Sequence, residues 1–180
     1  MMKILSEIAK QNKFASIFTN CDPASGSFIY GIVLYVDDNY FVIKMYDRSG
    51  NFDGFALLST DKILYIETDG QYHKSMQLLI TKSIDDNMHF RIDNNCITCF
   101  LDNAMKWQQI VSIELADSGR NNLMGFVFDY DEVNCKIQLI DEYGQEDGFG
   151  YCSLADITQI CMLSTDEQRV QRIFEARKNR

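Results

Sequence analysis

One 36-residue pattern occurs twice in this chain. Residues 31–66 read GIVLYVDDNYFVIKMYDRSGNFDGFALLSTDKILYI, and residues 125–160 repeat the pattern 94 positions later, without a gap, as GFVFDYDEVNCKIQLIDEYGQEDGFGYCSLADITQI. Twelve of the 36 aligned positions are identical, whereas typical residue frequencies give roughly two or three matches by chance. The sequence therefore predicts two copies of one folding unit.

The length of the chain fits this division. At 180 residues the chain has room for two small domains, each with its own core. A period of this size favours two tandem units. We place the boundary between residues 83 and 84, so that the first unit covers residues 1–83 and the second covers residues 84–180.

Hydrophobic periodicity predicts a helix, five short strands and a second helix in each copy. In the first copy, helices are predicted at residues 4–11 and after residue 70, where Tyr72, Met76 and Leu79 share one face. A polar connection is predicted from residue 47 to residue 54. The predicted strands of this copy are residues 14–18, 28–36, 40–46, 55–58 and 63–66.

The second copy follows the same order. Its clearest predicted strands are residues 110–115, 123–130 and 136–140. Ser164 and Glu167 have the spacing of a capping box, which predicts the start of a final helix with Val170, Ile173 and Phe174 on one side.

Five short antiparallel strands favour a closed or strongly bent sheet, because an open sheet of this size leaves its edges unprotected. Gly31 and Gly125 lie inside predicted strands, where glycine is typical of a sharp bend or a close backbone approach. We therefore predict a mainly β fold with flanking helices (α+β): two tandem five-stranded, strongly bent barrels, each with a short N-terminal helix and a C-terminal helix.

This order of elements resembles the Sm and LSm-like family of small barrels. The first signature of that family has a strand glycine six residues before an aspartate, and Gly31 with Asp37 and Gly125 with Asp131 both have this spacing. The resemblance covers most of both halves as topology. It implies Sm-like, Src-homology-3-like barrels that pair edge to edge.

The RNA-contacting residues of the family are not matched. The family places a base-binding asparagine four residues after the aspartate, where this chain has Phe41 and Cys135, although Asn134 lies one residue away. The second family signature, an aliphatic residue followed by Arg-Gly before the last strand, is absent. The resemblance therefore implies the barrel without the family's RNA contacts.

The best-shared motif between the copies is Asp-x-x-Gly-x-x-Asp-Gly. It is compatible with oxygen ligands for a hard cation, or with a tight connection in which glycines adopt positive φ and aspartates cap turns. The spacing is not that of an EF-hand, and we favour turn geometry with no metal. The motif residues are Asp47, Gly50, Asp53 and Gly54 in the first copy, and Asp141, Gly144, Asp147 and Gly148 in the second.

Few residues indicate chemistry. Cys96 and Cys99 form a lone CxxC at a predicted helix start; a structural zinc site needs four ligands, and a redox role stays open. His73 aligns with Glu167 of the other copy, so the copies share no histidine-based catalysis. No nucleotide-binding, hydrolase or metalloprotease motif occurs. We predict a protein that is not an enzyme and needs no cofactor.

Charge bears on the class of partner. The chain has 17 basic and 26 acidic side chains, a net charge of −9, which disfavours nucleic-acid binding unless basic residues gather on one face. One basic cluster occurs, in the predicted C-terminal helix, where it complements the helix dipole or provides an interaction surface. Its members are Arg169, Arg172, Arg177 and Lys178.

The sequence contains neither an apolar signal core near its start nor a stretch of membrane-spanning length. We expect a cytoplasmic protein without membrane association. The expected function is a non-enzymatic binding, scaffold or regulatory module that contacts another protein or a second copy of itself. The alternative is an RNA-binding or RNA-processing factor that uses the barrel loops or the basic C-terminal helix.

Overall fold

The computed structural model describes residues 1–19, 28–80, 90–91, 95–116, 118–120 and 122–179. The chain divides into two compact units, Met1–Cys96 and Ile97–Arg180. The predicted boundary between residues 83 and 84 lies outside the described residues.

Within the described residues, each unit has a helix, five strands and a second helix. In the first copy these are α1 (Met2–Lys10), β1 (Phe14–Thr19), β2 (Phe28–Val36), β3 (Tyr40–Tyr46), β4 (Phe52–Ser59), β5 (Ile63–Thr68) and α2 (Gln71–Leu79). In the second they are α3 (Cys96–Trp107), β6 (Ile110–Leu115), β7 (Leu123–Tyr130), β8 (Asn134–Ile140), β9 (Glu146–Ser153), β10 (Ile157–Met162) and α4 (Thr165–Lys178). One turn of 3₁₀ helix precedes the last strand of each copy, at Thr60–Lys62 and Leu154–Asp156.

The strand order is the same in both units. It is β5-β1-β2-β3-β4 in the first unit and β10-β6-β7-β8-β9 in the second. The described pairs within each unit are antiparallel, and the last strand of each unit returns to pair with the first. The prediction of a mainly β fold with flanking helices is therefore confirmed.

Several predicted bounds agree with the structure, namely those of β2, β3, β6 and β7. The predicted connection to residue 54 is wrong, because β4 begins at Phe52. Asp53 and Gly54 therefore lie in β4, and their counterparts Asp147 and Gly148 lie in β9 rather than in a turn.

The predicted buried face of α2 is partly wrong. Met76 is buried as expected, but Tyr72 and Leu79 are exposed and His73 is buried instead. The capping box at the start of α4 is confirmed, since Ser164 and Glu167 make both of its hydrogen bonds.

The strand register extends the duplication beyond the matched sequence. Ala15 faces Gly31 in the first unit and Val111 faces Gly125 in the second, so the copies lie 96 positions apart in the first strand and 94 in the second. The first helix of each unit is followed by a positive-φ residue at matching positions, Asn12 and Gln108. The repeat therefore covers the whole unit, including both helices.

The strand glycines mark close backbone contacts. A Cβ atom on Gly31 would lie 2.0 Å from the Lys44 carbonyl oxygen, and one on Gly125 would lie 1.9 Å from the Gln138 carbonyl oxygen. No side chain fits at such a distance, so the neighbouring strand requires glycine at both positions.

Candidate functional site

The shared Asp-x-x-Gly motif forms the same tight connection in both units. The Asp47 carboxylate accepts the N–H groups of Ser49 and Asn51 at 2.8 and 2.9 Å, and the Asn51 side-chain amide at 3.0 Å. Asp141 accepts the corresponding N–H groups of Tyr143 and Gln145 at 3.0 and 2.7 Å. Both aspartates therefore act as turn-forming acceptors.

The glycines of this motif lie against the helix that ends each unit. Gly50 has φ +82°, and a Cβ atom there would lie 2.7 Å from the Leu79 carbonyl carbon. Gly144 has φ +69°, and its Cβ would lie 2.6 Å from the Phe174 backbone nitrogen. The motif therefore positions α2 and α4 on their own sheets. No group of three or more potential metal ligands occurs among the described residues.

Asp37 and Asp131 form matching hairpin turns. Asp131 accepts the N–H groups of Val133 and Asn134, both at 2.7 Å. Asp37 accepts those of Asn39 and Tyr40, at 2.9 and 2.8 Å. The two positions at which the Sm family has its base-binding asparagine are fully buried, since Phe41 and Cys135 have no exposed surface.

Asp37 has one further bond, because its carboxylate also accepts the Cys96 N–H at 2.8 Å. Burial raises the pKa of this carboxyl, but the three N–H bonds, first that of Cys96, outweigh the burial and hold the pKa below its usual value. Asp37 is therefore ionised at neutral pH.

The basic cluster of α4 is exposed, and part of it is already used within the unit. Arg177 donates from Nε to the Tyr143 carbonyl at 2.7 Å. The Lys178 ammonium lies 4.8 Å from the centre of the Phe174 ring. Arg172 hydrogen-bonds Gln168 on the preceding helical turn at 3.2 Å, and Arg169 is exposed.

The CxxC pair begins α3, and both thiols are buried. Cys96 donates its S–H to the Tyr40 carbonyl at 3.4 Å, which requires the protonated thiol. The sequence did not predict a second pair of cysteines: Cys135 on β8 and Cys152 on β9 are directly opposite each other. A hydrogen bond between these two thiols raises the pKa of Cys135 and lowers that of Cys152. Their separation in sequence hid this pairing.

His73 and Glu167 occupy equivalent positions in the two copies, and each contacts a buried serine of the first strand. Each is the third residue of the helix that ends its unit. The His73 Nε2 lies 3.2 Å from the Ser16 hydroxyl, and the Ser112 hydroxyl donates to Glu167 at 2.5 Å. Ser16 and Ser112 are equivalent positions in the first strand of each unit. A buried serine thus joins the first strand to the last helix in both copies.

One face of the second unit exposes aromatic rings, a feature that the sequence analysis missed. Phe128 on β7 and Phe149 and Tyr151 on β9 are 53%, 46% and 67% exposed. The Lys136 ammonium on β8 lies 4.3 Å from the Phe128 ring centre and 4.2 Å from that of Phe149. We call these four residues the aromatic face.

The equivalent positions in the first unit are covered. They are Leu34, which is half-buried, and Val42, Phe55 and Leu57, which are at most 1% exposed. The Phe55 ring lies 5.2 Å from that of Phe90, which belongs to the segment after α2. The signal in the sequence is that Lys136 and Tyr151 replace the apolar Val42 and Leu57.

A second aromatic cluster lies in the first unit around a cavity of about 270 Å³. Four rings line this cavity together with Asp47, Arg48 and Asp53. The ring of Tyr30 lies 5.4 Å from that of Tyr72 at an angle of 86°. We call the lining rings the aromatic cavity; they belong to Phe28, Tyr30, Tyr46 and Tyr72.

Comparisons with known proteins add no family. No protein-family model and no curated protein matches the chain. Among solved structures, the chain is weakly similar to K. pneumonia MrkH in its apo state, with 11% identity, coverage of 99% of this chain and 95% of that chain, and a TM-score of 0.18. A second MrkH crystal structure has 12% identity, coverage of 99% and 93%, and the same TM-score. At this TM-score the likeness carries no argument about fold or function.

No helix in the described part of the chain has the length and apolar character needed to cross a membrane.

Proposed function

We propose that this chain is a non-enzymatic protein-binding module built from two Sm-like barrels. In each unit four strands follow one another in a meander, and the fifth returns to the first. That return, together with the bulges in β2 and β7, favours closure into a small bent barrel. Both units thus supply scaffolds with the same frame and different surfaces.

The aromatic face of the second unit carries the proposal. Three large rings that remain about half exposed or more are unusual in a monomeric protein unless they bind something. Aromatic residues are also enriched among those that dominate binding energy at protein interfaces. The first unit covers the equivalent positions with apolar contacts such as that of Phe90 on Phe55. The same face of the second unit is therefore shaped to receive an apolar side chain from a partner.

Charge defines the partner further. Asp129, Glu146 and Asp147 are exposed beside the aromatic face, and Lys136 already lies over two of its rings. A partner segment with a central apolar or aromatic side chain and flanking basic residues is complementary to this surface. We therefore assign the face to a basic-flanked apolar protein segment.

Site-specific photocrosslinking tests this proposal. A photoreactive benzoylphenylalanine at position 151, introduced in the native cells, is expected to form a discrete adduct with one protein. The same group at position 143, another exposed tyrosine of this unit, is the matched control and should not form that adduct. Sedimentation of the purified protein distinguishes a second copy of the chain from a different partner.

Substitution then tests the energetic role of the face. Tyr151→Ser and Phe128→Ser should each weaken partner binding about tenfold or more, the usual loss when a central aromatic contact is truncated. Tyr143→Ser should leave binding unchanged. Equal binding by all three variants, or identical adducts from positions 151 and 143, would contradict the assignment.

The alternative, binding of RNA, makes a different prediction for the same surface. Exposed rings on strands also stack bases, at about 1–3 kcal/mol per base. In that case position 151 should crosslink to nucleic acid, and binding should weaken steeply as salt rises. A ribonuclease-sensitive adduct would therefore replace the protein-binding proposal with this alternative.

A further inference from the structure

We propose that the aromatic cavity of the first unit binds a quaternary or alkylated ammonium group. This site is distinct in position and chemistry from the aromatic face of the second unit. Four aromatic residues and two aspartates line one cavity of about 270 Å³. That volume lies below the roughly 300–1,000 Å³ of pockets for drug-sized ligands, so it suits a group the size of a side chain or a head group.

The rings are arranged as walls at right angles. Tyr72 meets Tyr30 at 86° and Phe28 at 89°, with centroid distances of 5.4 and 5.2 Å. A cation in such a corner lies within reach of more than one ring, and each ring attracts it through its quadrupole. Burial, with Tyr72 and Tyr46 adding to it, raises the pKa of Tyr30 to about 12. Tyr30 therefore remains a neutral phenol at physiological pH.

The Tyr30 hydroxyl is a buried polar group that the fold of the first unit leaves unsatisfied. Tyr30 is only 3% exposed, and its hydroxyl oxygen has no hydrogen-bond partner among the described residues. A buried hydroxyl without a partner destabilises the fold, because its lost hydrogen bonds to water are not replaced. Such a group calls for an explanation beyond packing.

The charged residues at the cavity favour a cation. Asp47 and Asp53 contribute two negative charges and Arg48 one positive charge. Hydrogen bonds from the side chain and N–H of Asn51 outweigh burial and hold the pKa of Asp47 below its usual value, so this carboxylate is ionised. Arg48 is an exposed side chain and makes no cation–π contact with the cavity rings in the described structure, whereas the Lys44 ammonium lies 5.6 Å from the centre of the Tyr46 ring.

The second unit shows that the fold does not require these rings. The positions equivalent to Phe28, Tyr30, Tyr46 and Tyr72 hold Asn122, Met124, Ile140 and Asp166. The same strands and helix form there without any aromatic residue at the four positions. The aromatic cavity is therefore a property of the first unit beyond what its barrel needs.

Binding of choline to the purified protein tests the proposal. Saturation-transfer NMR should show contact with the choline methyl groups, and calorimetry should give a dissociation constant. The neutral isostere 3,3-dimethyl-1-butanol has the same shape without the charge, and it should bind at least about threefold more weakly because the cation–π attraction is lost. No binding of millimolar choline, or equal binding of the isostere, would overturn the proposal.

Variants taken from the second unit locate the site. Tyr72→Asp and Tyr30→Met introduce residues that the repeat tolerates, and each should weaken choline binding roughly 2- to 30-fold. Tyr72 is 39% exposed and lies in the first turn of α2, where an aspartate suits the helix dipole. Tyr72→Asp therefore decides the matter even if Tyr30→Met does not fold. Unchanged choline binding in folded Tyr72→Asp would refute the assignment.

Two further measurements complete the test. Asp53→Asn should weaken binding of choline but not of the neutral isostere, and equal weakening of both would overturn the electrostatic argument. Tyr151→Ser, in the other unit, should leave choline binding unchanged; a loss there would place the choline site elsewhere. Vesicles of phosphatidylcholine, compared with free choline, distinguish a lipid head group from a soluble ligand as the source of the ammonium group.

Discussion

At the scale of single residues, two glycines of the shared motif differ in what a side chain would meet. Gly144 and Gly148 both have positive φ, at +69° and +74°. A Cβ on Gly144 would lie 2.6 Å from the Phe174 backbone nitrogen, whereas one on Gly148 would have no neighbour within 4 Å. An alanine at either position would therefore cause backbone strain, but only an alanine at position 144 would also overlap with a neighbour.

We expect Gly144→Ala to destabilise the protein far more than Gly148→Ala. Both changes cost about 1–2 kcal/mol for the left-handed backbone, but only Gly144→Ala adds about 1–3 kcal/mol of overpacking against α4. Urea denaturation monitored by circular dichroism measures the difference. Equal midpoints for the two variants would show that the connection does not position the helix.

The lowered pKa of Asp37 predicts that the folded protein loses stability in acid. Its pKa is lowered in the folded state, so its charge stabilises the fold above the usual carboxyl pKa, and that contribution is lost as pH falls through the folded-state pKa. Asp37→Asn should therefore reduce the loss of stability on acidification below about pH 4. Asp38→Asn, an exposed neighbour in the same turn, is the control, and urea midpoints at several pH values provide the measurement.

Sequence reasoning identified these turn residues but not their tertiary contacts. Asp47 and Gly50 were expected to form a turn because their residue types favour one locally. The contact between Gly50 and Leu79 depends on how α2 packs on the strands, and Leu79, at the end of α2, lies 29 residues after Gly50. Residue types such as those of Asp53 and Gly54 are typical of turns and rare in strands, yet both lie in β4, at the irregularity in its pairing with β3.

At the scale of elements, a buried serine connects the first strand to the last helix in both units. In the second unit, Glu167 accepts from Ser112 and also from the N–H of Ser164, at 2.9 Å. Glu167 thus caps its own helix and holds the helix to the strand. In the first unit His73 makes the contact with Ser16, but its Nδ1 has no hydrogen-bond partner among the described residues.

Glu167→Ala is therefore expected to destabilise the protein by about 2–4 kcal/mol, because it removes a helix cap and leaves a buried hydroxyl without an acceptor. Glu175→Ala, on an exposed position of the same helix, should stay within about 0.5 kcal/mol. Hydrogen exchange of α4 amides locates the effect. Similar exchange in both variants would mean that the serine contact does not hold the helix.

Element bounds were well predicted where polar turns separate apolar runs. The turns that begin at Asp37 and Asp131 are flanked by apolar strands, and the bounds of β2, β3 and β7 followed from them. The buried face of α2 was less predictable. His73 is polar and was not expected inside, but Ser16 provides a partner that only the fold reveals.

At the scale of the whole molecule, the charge of −9 argues against nucleic acid as the main partner. We expect the protein purified at low salt to have the ultraviolet absorbance ratio of protein without nucleic acid. We also expect it to bind an anion-exchange column and to pass through a heparin column without binding. The acidic surface repels nucleic-acid phosphates and heparin sulfates, and it is attracted to the cationic groups of the exchanger. Nucleic acid that remains bound at low salt and dissociates as salt rises would favour the RNA-binding alternative.

The two copies share the residues that the fold needs and differ in the surfaces that we assign to binding. Identical positions such as Gly31 and Asp37 carry close contacts and turns. The aromatic face and the aromatic cavity each involve positions at which one copy has an aromatic or charged residue and the other does not. Sequence identity between copies therefore identified the frame, whereas the candidate sites required knowing which differing residues are neighbours in space.

The change of offset from 96 to 94 between the first and second strands has a practical consequence. Between the paired positions, from Ala15 to Gly31 and from Val111 to Gly125, the second copy has two residues fewer, although the strand order is the same in both units. The two copies therefore show that this fold accommodates connections of different length at this point. The β1–β2 connection and its β6–β7 counterpart are accordingly suitable places to insert a short epitope or a fluorophore-accepting peptide, so that either unit can be tracked while its strands stay intact.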